Sequence, residues 1–487
     1  MTAPVSPTVW ETVIGLEVHT ELRTETKLFC GCRNLFGEEP NTSVCPVCLG
    51  LPGSLPVLNR QAVDYAMRIG AALHCSIGRS RFHRKNYFYP DMPKDYQISQ
   101  YDQPINANGW LELPGGKRIR VERAHMEEDT GKSTHVGGGG RISGADHSLV
   151  DYNRAGVPLV EIVSHPDLRS AADARAYVDE LRSILMATGA SDGKMEEGSL
   201  RVDANVSVRP VGAEAFGTRC EIKNMNSLRS LGRAIDYEVA RQIELVEGGG
   251  RVVQETRHWS EDDEATSSMR SKEEAFDYRY FPEPDLVPLD PSESWMASVV
   301  ASLPELPAAR RAMVAAASGM SADADAVVTV ISLGLDRYVR AAVAAGADTA
   351  GAALAVRRLA NEVAADLNGS ADLDEAHFVR LVAMESDGEL TTSQARTVLK
   401  ELLGGGRDPV AIARAHGFEA MAPGALDALV DEVIAANPGE WGRYAGGEDK
   451  LTGFFIGKIK ATSDGNADLK AAAAILRARR PADGLLR

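Results

Sequence analysis

Apolar and polar positions alternate from Trp10 to Leu22. Trp10, Thr12, Ile14, Leu16, Val18, Thr20 and Leu22 fall on one face, and Glu11, Val13, Gly15, Glu17, His19 and Glu21 on the other. A period of two predicts a strand. Its polar face sets Glu17 and His19 two residues apart, about 6–7 Å along the chain, able to share one site. The alternation returns at Leu200–Val208, with Arg201, Asp203, Asn205 and Ser207 on the polar face, and at Thr218–Lys223, with Arg219, Glu221 and Lys223. Nine residues separate these runs, which predicts a hairpin with a polar face of mixed sign. Such a face is either wet or the floor of a ligand site. Val157–Val163, with Pro158 near its start, is an apolar strand interrupted by Glu161. A carboxylate in a buried strand costs several kcal/mol unless it meets a cation or strong hydrogen bonds.

Helical spacing covers Asn59–His74, then Ser170–Thr188, where Ser170 is the cap, Asp173 sits at the third helical position and Gly189 follows the end. Ser227–Glu247 is a third helix, closed by Gly248-Gly-Gly. From about Ser292 alanine rises, aromatics nearly vanish and helical spacing runs to Leu403. Gly404-Gly-Gly-Arg407 reads as a hinge before a small helical tail. The expected fold class is α+β, with an N-terminal domain over 1–291, a helical domain over 292–405 and a tail over 406–487. The segment from Arg84 to Pro104 is dense in Tyr, Pro, Lys and Asp and follows neither period, which predicts a loop. Its aromatics beside amide and basic groups suit a binding pocket or an ordinary structured surface loop.

Four of six cysteines fall within nineteen residues, as Cys30-Gly-Cys32 and Cys45-Pro-Val-Cys48. Two close pairs at that interval suit a tetrahedral zinc thiolate, and four thiolates leave no open position, so such a site is structural. Cys75 and Cys220 stand alone and read as packed. Glu127, Glu128 and Asp129 form an acidic run followed by Gly131, Lys132, Ser133, Thr134 and His135. Gly131-Lys132-Ser133 is not a phosphate loop, because the first glycine of that motif would stand where Met126 is. Lys132 and Ser133 still suit phosphate contact, and Gly137–Gly140 reads as a flexible break.

At 487 residues the chain exceeds one ordinary core. No apolar run approaches membrane-spanning length and the N-terminus lacks a basic-then-apolar signal, so a cytoplasmic protein is expected. The formal net charge of −16 argues against binding nucleic acid over the whole surface. The balance is uneven, however. From Arg407 onward 11 basic residues meet 11 acidic ones, and Lys450–Arg487 carries 8 against 3. This basic end is either a solvated helix or a hint of a phosphate-bearing partner.

VIGLEVHTEL, RKNYFYPDMPKDYQISQYDQP, HMEEDTGKSTH, PLVEIVS, KMEEGSLRVDANVSVR and DYRYFPEPD resemble the motifs of the GatB family, the B subunits of aspartyl/glutamyl-tRNA amidotransferases, in register over essentially the whole chain. KLTGFFIGKIKATSDGNAD resembles the tail domain this family shares with YqeY-like proteins. The resemblance implies a cradle-shaped N-terminal domain with a mainly antiparallel sheet, then a helical domain, then a tail that holds tRNA. It implies ATP- and Mg²⁺-dependent phosphorylation of the amino-acid carboxylate on Glu-tRNA(Gln) or Asp-tRNA(Asn), followed by attack of ammonia that the amidase (GatA) partner releases from glutamine. A third, small partner (GatC) completes the heterotrimer. Carried onto this chain, the magnesium ligands are Glu17, His19, Glu161 and Glu128 or Glu127, with Glu17, His19, Glu128 and Glu161 as the catalytic set. Lys85, Asn86, Tyr87, Lys132, Ser133 and Arg201 are expected to bind ATP or substrate. Cys30, Cys32, Cys45 and Cys48 are expected to hold a structural zinc, and Lys450, Lys458 and Lys460 to contact tRNA. The alternative is a non-catalytic, zinc-containing tRNA-binding scaffold.

Overall fold

In a computed structural model the period-two runs become neighbours in one sheet. The structure describes residues 8–137, 144–271, 278–366, 373–406, 408–418, 424–463, 467 and 469–480. Part of the Gly137–Gly140 break, Asp277 and Arg407 therefore lie outside the described residues. Strand β1 (Trp10–Glu21) pairs antiparallel with β10 (Leu200–Pro210) on one side and β9 (Pro158–Ser164) on the other. Beyond β10 come β11 (Cys220–Lys223), β12 (Glu255–Ser260) and β13 (Ala265–Ser271); beyond β9 come β6 (Arg118–Glu128), β4 (Tyr96–Ser99), β3 (His83–Asn86) and β14 (Phe281–Pro282). Two further strands, β2 (Ser76–Ile77) and β5 (Asn106–Glu112), join through β6. Among the described strands only β11 and β12 pair in parallel. A separate two-stranded sheet holds β7 (Lys132–Val136) and β8 (His147–Asp151).

One face of the large sheet is apolar and covered by helices. Ile14, Leu16 and Val18 of β1, Val160 and Ile162 of β9, and Ala204 and Val206 of β10 pack with α1 (Arg60–Ala72), α2 (Ala171–Ala187) and α3 (Leu228–Glu247). Each fully buried aliphatic side chain here contributes roughly 1.5–3 kcal/mol. The helices start where polar caps allow: Asn59, Ser170 and Ser227 accept from the backbone of Gln61, Asp173 and Ser230.

Two expectations are corrected. The segment from Arg84 to Pro104 is not a loop throughout, because β3 and β4 pair within it from His83–Ser99 to Asn86–Tyr96, with Arg84 stacked 4.2 Å over the Tyr96 ring. Strands of four residues are too short to display a period. The chain divides at Ala309/Arg310 rather than at 291. Helix α4 (Glu293–Ala301) belongs to the first unit: Trp295 donates to Asp64 at 2.6 Å, and Val299 enters the core. The second unit is helical and holds two cores. One is built around Tyr338, Phe378 and Leu399, and the other around Tyr444, Phe455 and Ile459. No described helix is long and apolar enough to cross a membrane.

Candidate active site and cysteine cluster

The uncovered face of the sheet is polar because the strands are in register. His125 of β6 stands opposite Glu161 of β9, Glu161 opposite His19 of β1, and His19 opposite Arg201 of β10. One step along, Glu17 faces Asp203. These side chains line a cavity of about 670 Å³, together with Lys85, Arg123, Glu127, Asp129, Arg219, Glu221 and Lys223. Tyr101, stacked on Tyr280 at 4.1 Å, and Tyr278, with Lys85 Nζ 4.6 Å from its ring centroid, form aromatic walls.

The acids form two groups. His19 Nε2 lies 3.7 Å from both Glu127 Oε1 and Glu161 Oε2, so these three can converge on one ion. Burial alone would push the Glu161 carboxyl up. His125, 3.3 Å away, with His19 and Lys85 beyond, outweighs burial and holds it well below the usual carboxylate range. Glu17, Asp203 and Glu221 form the second group. Asn205 donates to Glu17 at 2.9 Å and Thr256 to Glu221 at 2.9 Å. Lys223 is paired with Asp203 and lies 3.2 Å from Glu221; despite burial, these anions hold its ammonium above the usual lysine range. Carboxylate oxygens in such groups suit hard cations.

The expected magnesium set is therefore redistributed. Glu17 belongs with Asp203 and Glu221, whereas His19, Glu127 and Glu161 stand together. Glu128 is a correction: it points away from the cavity into the core, where Lys94 Nζ approaches to 2.5 Å and the Ile98 N–H donates at 2.8 Å. Lys132 and Ser133, expected at the phosphates, sit exposed on β7 and do not line the cavity. Asn86 is spent on fold, donating to the Tyr278 and Arg279 carbonyls at 2.8 and 2.9 Å. Lys85, Tyr87 and Arg201 do line the cavity, and Arg201 is paired with Asp129. Sequence reasoning passed over His125, Asp129, Tyr278 and Tyr280. Alternation along β6 contained the signal for the first two, since Arg123, His125, Glu127 and Asp129 are in phase. Lys450 lies in a 3-10 turn, and Lys458 and Lys460 on the helix Thr452–Thr462; all three are exposed.

The four clustered cysteines converge as their spacing predicts. Cys48 Sγ lies 3.5, 3.7 and 3.8 Å from the sulfurs of Cys30, Cys45 and Cys32. A tetrahedron with bonds of about 2.3 Å has edges of about 3.8 Å, so the sulfurs fit a tetrathiolate metal centre. Hydrogen bonding from Cys30, with Lys27 nearby, outweighs burial and draws the Cys48 thiol down to about 4.

Residues 12–297 match the model of the GatB/GatE catalytic domain, and residues 337–479 that of the GatB domain. The chain is 47% identical over 476 residues to the B subunit of the aspartyl/glutamyl-tRNA(Asn/Gln) amidotransferase of Carboxydothermus hydrogenoformans, covering 96% of this chain and 98% of the relative. It is 51% identical over 475 residues to the protein of that name from Salinispora tropica, covering 95% and 94%. The Salinispora arenicola relative is 50% identical over 491 residues, covering 98% and 97%.

Proposed function

The chain belongs to the GatB family, and we propose that its cavity is where the side-chain carboxylate of a tRNA-borne Glu or Asp is activated by ATP for amidation. As a GatB protein it works within a multi-subunit, glutamine-hydrolysing aminoacyl-tRNA amidotransferase. In our reading the substrates are Glu-tRNA(Gln), Asp-tRNA(Asn) or both. The amidase partner, GatA, supplies ammonia, the small GatC protein completes a heterotrimer, and the assembly is cytoplasmic. The match to a catalytic domain disfavours the inert scaffold.

One observation carries the reading: two groups of carboxylates converge in one cavity that also holds Lys85, Arg123, Arg201, Arg219 and Lys223. Phosphoryl transfer between two anions asks for positioning and charge neutralisation rather than a protein nucleophile. Mg²⁺ bound by His19, Glu127 and Glu161, and by Glu17, Asp203 and Glu221, would neutralise charge on the nucleotide phosphates and the acceptor carboxylate. The lysines and arginines orient both anions, and the acceptor oxygen takes the γ-phosphoryl group as ADP leaves. Ammonia then attacks the acyl phosphate, forming the amide and releasing phosphate. The smaller pocket beside the cavity shares Glu17, Val163 and Arg219 with it and is lined by Val13, Pro166 and Phe216, which suits a nucleobase. Lys450, Lys458 and Lys460 serve the tRNA backbone.

The test is ADP release by the assembled complex with Mg-ATP on misacylated and uncharged tRNA. Release should require the misacylated tRNA and fall on the order of a hundredfold or more in Glu127→Gln while assembly survives. Release indifferent to that substitution would move the chemistry elsewhere, and the absence of release with every charged tRNA would favour the scaffold.

A further inference from the structure

Lys27 is fully buried, although it lies at the edge of the cysteine module. Its ammonium touches three things: the Ser43 carbonyl at 2.8 Å, the Cys48 sulfur at 3.6 Å and the Tyr152 carbonyl at 3.3 Å. Lysine is almost never fully buried unless paired, and two neutral carbonyls do not balance a desolvated ammonium. Four thiolates around a divalent cation carry a net charge of −2 and supply the missing anion.

The Tyr152 carbonyl also accepts from the Ala155 N–H at 3.1 Å, closing the turn that presents Arg154. The cysteine module grips this segment at further points. Ser43 N–H donates to Asn153 at 2.8 Å, Asn153 donates to the Glu39 carbonyl at 2.7 Å, and Tyr152 N–H donates to Asn41 at 2.8 Å. On its other side Arg154 donates to the Thr130 and Gly131 carbonyls at 3.0 and 2.9 Å and lies 3.4 Å from Asp129. Asp129 in turn pairs with Arg201, which faces His19 across the strands.

We propose that Lys27 is a positioning residue that couples the four-cysteine metal centre to the cavity. Held on the Cys48 sulfur, it fixes the turn at residues 152–155, and through Arg154 and Asp129 it fixes Arg201 beside the phosphate-handling face. The proposal rests on the reading of the cysteines as a metal centre and of the cavity as the nucleotide site.

The experiment uses the full chain in its assembled complex. Metal content is measured first, and about one zinc per chain is expected; finding none overturns the metal-centre reading and the coupling with it. Wild type is then stripped with a chelator and reloaded with zinc, and compared with Lys27→Met. Amide hydrogen exchange across 151–156 should rise at least tenfold on stripping and return on reloading. The ATP KM in tRNA-dependent ADP release should rise about tenfold with kcat changed less. Lys27→Met should show both effects with metal in place and lose zinc to the chelator faster. Stripping Lys27→Met should add less than twofold. Exchange and KM unmoved by stripping wild type would overturn the coupling even if the variant fails to fold, as would additive effects in a folded variant.

Discussion

Glu127 and Glu128 are adjacent carboxylates with opposite fates. Ala124, Met126 and Glu128 share the core face of β6, whereas His125, Glu127 and Asp129 share the cavity face. Burial pushes the Glu128 carboxyl up, and the Lys94 ammonium and Ile98 N–H offset part of that cost. Glu128→Gln strands the Lys94 charge in the core. It should destabilise the protein by about 3–5 kcal/mol, read as a fall in the urea midpoint, whereas Glu127→Gln should leave that midpoint nearly unchanged. This distinction was legible in the sequence, because period two separates the two glutamates. It was missed by treating the acidic run as equivalent positions. Partnership was not legible: Lys94 reaches Glu128 only because a turn absent from the periodic pattern brings it there. Glu21 carries a pH signature of its own. Burial and the Asp129 charge raise its carboxyl to about 8, against the pull of Arg201 and Arg154. A raised carboxyl gives stability that is fully present below the unfolded value of about 4.3 and lost as pH rises through about 8. The permanently neutral Glu21→Gln should therefore gain stability relative to wild type between pH 5 and 9. A urea-midpoint difference that stays flat over that range would show that Glu21 titrates normally.

At the scale of elements, long runs were readable and short ones were not. β1, β9, β10 and the three capped helices follow their periods because each buries one face over many residues. The predicted hairpin is present, with Ala204, Asn205 and Val206 opposite Ile222, Glu221 and Cys220. β3 and β4 span four residues each and are held by Arg84, which stacks on Tyr96 and also donates to Glu283 at 2.6 and 2.9 Å, a partner far away in sequence. Helix α1 shows what sequence pattern leaves out about packing. A Cβ on Gly70 would lie 1.9 Å from Asn106 Oδ1. Asn106 is fully buried and donates at 2.9 Å to the carbonyls of both Ala66 and Ala124, tying the helix to the sheet. Gly70→Ala gains up to about 1 kcal/mol of helix propensity but forces overpacking that costs about 1–3 kcal/mol and tears that tie. A net loss of about 1–2 kcal/mol is expected by denaturant titration, and a more stable variant would mean that Asn106 gives way freely.

Over the whole molecule, charge and core boundaries together decide where the chain can be cut. The three glycines from Gly404 suggested a hinge, but they terminate the helix Thr392–Leu403: Gly404 is its cap and Gly405 has φ +93°. The next helix, Pro409–Ala415, returns to the preceding core, burying Ala413 with Val410, Ile412 and Phe418 packed beside it. The last core starts only within the helix Ala425–Ala436. Deleting everything after Gly406 would therefore damage the middle core as well as remove the tail. Ending the chain after Phe418 removes the last core alone, with Lys450, Lys458 and Lys460 and the segment that carries 8 basic against 3 acidic residues. The remaining chain is acidic and holds the whole candidate cavity. If this end holds the tRNA backbone, the shortened complex should bind tRNA at least tenfold more weakly, and each lost phosphate contact should flatten the salt dependence by about one in log–log slope. Glutamine hydrolysis by the partner should persist. Filter binding across a salt series separates the outcomes: unchanged affinity and slope in an intact shortened complex would make the basic end a solvated helix and place tRNA recognition on the other cores.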